Sequence, residues 1–293
     1  MPPAPPVFRF APSPNGRLHL GHALSALTNE ALALRFGGRL LLRIEDIDLT
    51  RCRPEFVEGI EEDLAWLGIR FEPGFRRQSA HFGDYAGALA ALRRRGLVYP
   101  CFCSRQEIRN AVATREAATG QPWPVDPDGA PLYPGLCKKL DAEEAARRIA
   151  AGEPHVLRLD MAAATAALRQ PLRYTVFDAG DVRHSVPVAP ERWGDVVLAR
   201  KDAPTSYHLA VTVDDALQGV THVVRGRDLE AATDVHVLLQ HLLGLPIPLY
   251  HFHRLLLDDD GQKLAKSRDS RSLADLRADG ISAEEIRRQL GSA

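Results

Sequence analysis

The sequence predicts an α/β fold in which a parallel sheet is interrupted by an α+β insertion. Three observations carry that prediction. An apolar run, a Pro/Asn/Gly loop, a helical pattern and a second apolar run follow one another within the first 45 residues, the order of a βαβ unit. From Cys101 to about Arg192 this alternation gives way to Gly/Pro-rich chain with short strands and helices. Strand and helix patterns of the first kind resume at Asp195.

Residues 1–6 read as a disordered lead-in, and residues 7–100 as the first half of the sheet domain. Val7–Ala11 is the first strand. Gly21–Phe36 carries Leu24, Leu27, Ala31, Leu32 and Leu34 at helical spacing, with Gly37-Gly38 as the stop. Leu40–Glu45 is nearly continuously apolar, as a strand buried on both faces should be. Its end carries Glu45, Asp46 and Asp48, at the sheet edge where open α/β folds hold ligands. Helices are expected over Arg53–Leu67 and His81–Arg95. The second closes on Arg93-Arg94-Arg95-Gly96, a basic last turn with a glycine cap.

The insertion, 101–192, is expected to hold helices at Ser104–Ala118 and near Asp141–Ala151, and strands at His155–Leu159 and Arg173–Phe177. In the second half of the sheet domain, 193–245, the stretches Asp195–Leu198, Tyr207–Asp215 and His222–Arg225 read as strands, and Leu229–Leu242 as a helix. The last part, 246–293, starts with a strand pattern at Leu249–Leu257 and a turn at Asp258-Asp259-Asp260-Gly261. Lys263-Leu264-Ala265-Lys266-Ser267 follows, then helical patterns at Ser272–Ala278 and Ala283–Leu290.

Composition bounds the function class. The 293 residues, 45% hydrophobic and 26% charged, describe an ordinary soluble chain able to bury a core. No apolar run approaches the ~20 residues that span a bilayer, so a membrane partner is not expected. Met-Pro-Pro-Ala-Pro-Pro lacks the basic-then-apolar order of a signal peptide, and the cytoplasm is the expected location. A net charge of −1 excludes nucleic-acid binding by bulk electrostatics, leaving only local basic patches. Four cysteines are too few for a disulfide framework, and Cys101-Phe102-Cys103 suits a metal better.

Chemistry concentrates at two loops. Around His19-Leu20-Gly21-His22, a strand, a tight loop and a helix N-terminus aim backbone N–H groups and a helix dipole at one point, which suits a phosphate. Alone, the ordinary reading is two partly buried histidines near a cap. Lys263 to Ser267 alone would be a solvated turn. Together they make a nucleotidyl-transfer site: imidazoles stabilise an α-phosphate under attack while a lysine loop neutralises the departing pyrophosphate.

These two segments resemble the paired signatures of class I aminoacyl-tRNA synthetases. The flanks Arg9–Gly16, Leu42–Asp48, Pro204–Ala210 with Asp214-Asp215, and Val224–Leu229 resemble the glutamyl branch. The resemblance implies a Rossmann-type parallel sheet, with the α+β insertion carrying a zinc site. It implies that ATP, with Mg2+, meets His19, Gly21, His22 and Lys266, and that His19, His22, Lys263 and Lys266 are catalytic. It also implies a glutamate site of Arg9, Phe10, Ala11, Pro12, Ser13, Glu45, Tyr207 and Arg225. In that site the arginines offer planar forks to two carboxylates, Glu45 holds the ammonium and the Tyr207 hydroxyl completes the polar shell. The ordinary alternative pairs Glu45 with a neighbour such as Arg43 and makes Tyr207 a strand aromatic.

Full glutamyl-tRNA synthetases carry a large anticodon-binding region after the lysine motif, and only 26 residues follow Ser267. A chain of this shape resembles the glutamyl-queuosine tRNA(Asp) synthetases. Members activate L-glutamate without tRNA and then esterify it to the queuosine base in the anticodon loop of tRNA(Asp), which implies a queuosine-containing tRNA(Asp) as partner and a monomeric enzyme. That family also implies one structural Zn2+ on Cys101, Cys103, Tyr133 and Cys137, although the stretch between Cys103 and Tyr133 is longer than its pattern. Ala265 stands where serine is common in the lysine motif, and Cys52 has no assigned role. Two other readings stay open: a short glutamyl- or glutaminyl-type enzyme charging a tRNA 3′ end, and a silent paralogue that binds tRNA or protein. Intact His19, His22, Lys266, Arg9 and Arg225 argue against the silent paralogue.

Overall fold

The first strand, β1 (Val7–Phe10), is buried along its whole length. The helix α1 (Leu20–Arg35) returns the chain to β2 (Arg39–Ile44), which pairs with β1 in parallel, Val7 opposite Arg39 and Phe10 opposite Leu42. This computed structural model describes residues 4–256 and 271–291. After β2 come α2 (Pro54–Trp66), the two-residue β3 (Arg76–Arg77) and α3 (Phe82–Arg94), whose basic last turn runs into Gly96 at φ 69°. That terminus follows the expected glycine stop.

The next elements are β4 (Val98–Cys101), α4 (Arg105–Thr119), α5 (Ala142–Ala150), β5 (Val156–Leu159) and α6 (Met161–Ala166). They are followed by β6 (Arg173–Phe177), β7 (Arg183–Pro187), β8 (Val197–Ala199), α7 (Tyr207–Leu217) and β9 (His222–Gly226). The chain continues through α8 (Thr233–Leu243), β10 (Leu249–His253), α9 (Leu273–Ala278) and α10 (Ala283–Leu290).

Strand pairing divides the molecule differently from the sequence reading. The strands β9, β10 and β6 run parallel side by side, with β7 antiparallel on the outer edge of β6. Thr221 joins this sheet to β1: its N–H donates to the Val7 carbonyl at 3.0 Å, and its hydroxyl accepts from the Val7 N–H at 2.8 Å. The boundary between the two halves, β1 against β9, is the switch point where open α/β sheets bind ligands. A separate antiparallel sheet holds β4, β5 and β8. Thus β6, placed by sequence in the insertion, completes the large sheet, and β8, placed in the second half, completes the small one. Short apolar runs do not encode which sheet they join, because partner choice depends on distant residues.

A larger correction concerns Tyr207–Asp215, expected as a strand and found as α7. Every residue from Leu209 to Asp215 is buried. A helix enclosed on all sides shows neither the stripe of a surface helix nor the alternation of a strand. The expected helix at Leu229–Leu242 instead has a short 3₁₀ turn, Arg227–Leu229, before α8. The strand expected to reach Leu257 ends at His253, and Leu257 lies outside the described residues.

The last two helices pack on the first half. Leu273, Leu276, Ile286 and Leu290 join Phe8, Leu18 and Leu27 in one core cluster. The Leu273 N–H donates to the Leu18 carbonyl at 2.8 Å, and Ser272 forms an antiparallel bridge with His19. Beneath α9, Asp63 is wholly buried with no hydrogen bond to either carboxylate oxygen among the described residues, the nearest Arg277 nitrogen lying 3.7 Å away. Burial pushes its carboxyl up to about 6, against the pull of Arg277 and Arg17. A raised folded-state pKa means that this group favours folding most below its unfolded pKa and loses that contribution as pH rises to about 6. Asp63→Asn is therefore expected to stabilise the protein by roughly 2 kcal/mol at pH 8. The gain should vanish near pH 4, as read by urea denaturation at both pH values. No helix among the described residues is long and apolar enough to cross a membrane.

Candidate active site

A cavity of about 450 Å³ opens at the carboxyl ends of β1, β2, β9 and β10. The run Arg9–Ser13 leaving β1 lines it, with His19, Gly21 and His22 at the start of α1, Glu45 after β2, Tyr207 opening α7 and Arg225 in β9. These residues stand far apart in the chain and meet at the switch point. Lys263 and Lys266 lie outside the described residues. The chain on both sides of them is at the cavity: Leu255 and Leu256 line it, and Ser272 bridges His19.

The two histidines cap α1 reciprocally. His19 Nδ1 accepts the Gly21 N–H at 3.1 Å, and His22 Nδ1 accepts the His19 N–H at 3.2 Å. Their ring centroids are 4.0 Å apart. Because a backbone N–H occupies each Nδ1, a neutral ring must carry its proton on Nε2. The capping geometry thus sets both tautomers and makes each Nε2 a hydrogen-bond donor. Gly21 belongs to the same device, since a Cβ there would sit 2.9 Å from His19 Cε1 and displace the ring.

The charged wall is organised around Asp215. Arg9 Nε donates to Asp215 Oδ1 at 3.0 Å, and Arg43 Nη1 donates to the same oxygen at 2.8 Å. Burial alone would raise the Asp215 carboxyl, but Arg9 and Arg43 hold it below the usual value. Arg43, completely buried, also reaches Glu45 Oε1 at 3.2 Å and Gln218 at 3.0 Å. Glu45 therefore makes the ordinary ion pair and faces the cavity as well. Burial pushes its carboxyl up, against Arg43 and Arg9. Burial also raises the Tyr207 phenol, so it stays an O–H donor.

Arg225 differs from Arg9. It is 4% exposed, and among the described residues it has no ion pair with a carboxylate. Its partners are neutral: Nη1 faces His236 Nδ1 at 3.0 Å and Nη2 donates to Thr233 Oγ1 at 2.6 Å. Its Nε has no hydrogen-bond partner among them. The guanidinium lies 5.4 Å from the Tyr250 ring centroid. A buried guanidinium kept among neutral groups at a cavity wall is suited to an incoming anion, because the anion supplies the missing countercharge.

A second cluster lies in the insertion. The sulfurs of Cys101, Cys103 and Cys137 lie within 4.8 Å of one another. Tyr133 Oη sits 3.2 Å from Cys101 Sγ and 3.6 Å from Cys103 Sγ, and accepts the Cys137 N–H at 2.8 Å. The long stretch before Tyr133 does not displace it, because α4 absorbs fifteen of those residues. Arg115 on α4 then holds the Pro134 carbonyl at 2.9 Å, and Trp123 Nε1 holds the Leu132 carbonyl at 2.8 Å. Three thiols and one phenol, brought together from the end of β4 and the chain around Gly135, are a donor set of the kind that holds a structural zinc ion. Cys52 is elsewhere, 3.9 Å from the Ser13 hydroxyl.

Sequence reading missed His236 and the hub role of Arg43. Arg43 left a signal, a lone charge inside the apolar run Leu40–Ile44. His236 left none, because its meeting with Arg225 depends on where the fold places α8.

Comparison with known proteins places this geometry. Residues 7–291 match the family model of tRNA synthetases class I (E and Q), catalytic domain. The chain is 44% identical over 291 residues to a protein of Rhodobacter capsulatus named glutamyl-Q tRNA(Asp) synthetase, covering 97% of this chain and 99% of that one. It is 40% identical to a Symbiobacterium thermophilum protein of the same name, over 95% of this chain and 83% of that one. Among solved structures, a glutamate tRNA ligase from Elizabethkingia meningosepticum, crystallised with its amino acid, superposes with a TM-score of 0.71 at 27% identity. That superposition covers 90% of this chain and 52% of the ligase.

Proposed function

The chain belongs to the class I tRNA synthetases (E and Q), and on that premise we propose that it activates L-glutamate with ATP and transfers it to the queuosine base of tRNA(Asp). The observation that carries the amino-acid assignment is the buried Arg225, which has no carboxylate partner among the described residues, in the wall of a cavity that also presents Arg9, Glu45 and Tyr207. Glutamate offers two carboxylates to the guanidinium groups and one ammonium to Glu45. The tRNA assignment draws on the names of the Rhodobacter and Symbiobacterium relatives.

In the first step a carboxylate oxygen of glutamate attacks the ATP α-phosphorus in line. One P–O bond forms, the bond to the β-phosphate oxygen breaks, and pyrophosphate leaves. His19 and His22, with their Nε2 donors, stabilise the charge growing on the α-phosphate. Lys263 and Lys266 neutralise the leaving side. Lys266 lies six residues before Ser272, which bridges His19. Mg2+, bound with ATP, would screen the phosphate charges. In the second step a cyclopentene hydroxyl of queuosine attacks the glutamyl carbonyl, losing its proton as AMP departs.

Glutamate-dependent ATP–pyrophosphate exchange without tRNA tests the first step, and its absence would remove the proposal. The second step is read by charging queuosine-containing and queuosine-lacking tRNA(Asp). Glutamate should appear only on the former, in the fragment holding the anticodon. Recovery on the 3′ terminal ribose of tRNA(Glu) would favour an ordinary ligase instead.

The same reading gives Cys101, Cys103, Tyr133 and Cys137 one structural Zn2+, which ties β4 to the loop after α4. Purified protein is expected to hold about one zinc per chain by elemental analysis. A Cys101→Ala/Cys103→Ala variant should lose it and melt roughly 10 °C lower. Metal-free wild type that melts like the zinc-loaded form would rule this out.

A further inference from the structure

We propose that His236 is the positioning residue for Arg225, holding the guanidinium in the cavity wall without neutralising it. This rests on reading the cavity as a glutamate site. His236 and Thr233 stand three residues apart on α8, hence on one face, and together grip both terminal nitrogens of Arg225. The His236 ring, 1% exposed, also lies edge-on to Tyr207 with centroids 5.6 Å apart. One imidazole therefore backs two side chains of the pocket.

Hydrogen-bond direction fixes its state. An arginine only donates, so His236 Nδ1 must accept. A neutral His236 then carries its proton on Nε2 and gives it to His208 Nδ1, 3.1 Å away. Protonating His236 would set N–H against N–H at Arg225. Burial first, then Arg225 and His208, keep its pKa well below the usual value, and burial and Arg225 lower His208 to about 4. Both rings are neutral at physiological pH.

Among the described residues no carboxylate pairs with the buried arginine, which would be the commoner arrangement. Asp234 precedes Val235 and His236 on the same helix, yet it turns to Arg192, whose Nε lies 2.7 Å from its Oδ2. An aspartate in the His236 place would form an internal ion pair and cancel the charge the substrate is to meet. The neutral acceptor aims Arg225 while leaving its positive charge for a carboxylate, which gives glutamate its advantage over glutamine.

The test is pyrophosphate exchange with glutamate titrated at fixed ATP. Wild type is measured first, and inactivity with glutamate there would end the underlying reading as well as this one. Given active wild type, His236→Leu should raise the glutamate KM roughly 30-fold while the ATP KM stays within about twofold. His236→Asn, whose Oδ1 replaces Nδ1, should recover to within roughly fivefold of wild type. His236→Asp, the same size but charged, should be as poor as His236→Leu or worse and should lose discrimination against glutamine. If His236→Leu does not fold, the Asn and Asp variants decide. Equal glutamate KM in those two, or an unchanged glutamate KM in folded His236→Leu, would overturn the proposal.

Discussion

Arg225→Leu is expected to lower kcat/KM for glutamate in pyrophosphate exchange by roughly 10²–10³-fold and to leave the ATP KM nearly unchanged. The size follows from the pairing. Removing one member of a buried ion pair costs about 3–5 kcal/mol, and each 1.4 kcal/mol is about tenfold. The same change should not weaken the free protein. Its guanidinium has no carboxylate partner among the described residues and one unsatisfied nitrogen, so an apolar side chain removes a burial cost that only substrate offsets. Thermal unfolding without ligand should therefore match or exceed wild type, while the glutamate-induced rise in melting temperature disappears. Arg9→Leu should behave differently. Arg9 shares Asp215 with Arg43, so its loss leaves a buried carboxylate with one cation fewer and should lower stability as well as activity. A folded Arg225→Leu enzyme with kcat/KM within tenfold of wild type would show that the anion binds elsewhere.

That contrast between two arginines could not be read from the sequence, and the reason is physical. The loop carrying His19 and His22 was legible because it is contiguous and sits between a strand end and a helix start, places where local geometry already limits what a side chain can reach. The thiol cluster was legible through Cys101 and Cys103. The family pattern names Tyr133 despite the long stretch before it, and α4, which takes up fifteen of those residues, shows how the phenol still meets the thiols. The glutamate site came from family likeness, not from spacing. What stayed hidden was non-local. The burial of α7 on all sides erased its period, the exchange of β6 and β8 between sheets depended on distant partners, and the neutral partners of Arg225 needed Thr233 and His236 of α8 brought to it by the fold. The ordinary reading of Glu45 as the partner of Arg43 was correct as far as it went. The pair does not stand against the proposed binding role, because Glu45 keeps its place in the cavity lining while bonded to Arg43.

His19→Asn and His22→Asn are each expected to reduce the rate of exchange by roughly 10²–10³-fold while leaving the fold intact. Asparagine separates two jobs that alanine would remove together. Its Oδ1 can accept the backbone N–H now taken by Nδ1, so the reciprocal cap of α1 survives, but nothing remains where the Nε2 donor was. Loss of one aligned donor to a developing oxyanion costs about 2.7–4 kcal/mol in comparable sites. Alanine at either position should add about 1 kcal/mol of lost stability from the broken cap. The double asparagine variant should fall well short of the product of the single effects, because in the proposed mechanism both rings serve one phosphate and removing the first already abolishes most of what the second stabilises. Kinetics at saturating ATP and glutamate, with unfolding curves for each variant, separate these outcomes. If His19→Asn exchanges within threefold of wild type, the imidazoles are helix caps alone. The phosphate charge would then have to be met by the backbone N–H groups at the start of α1 and by the lysines beyond Leu256.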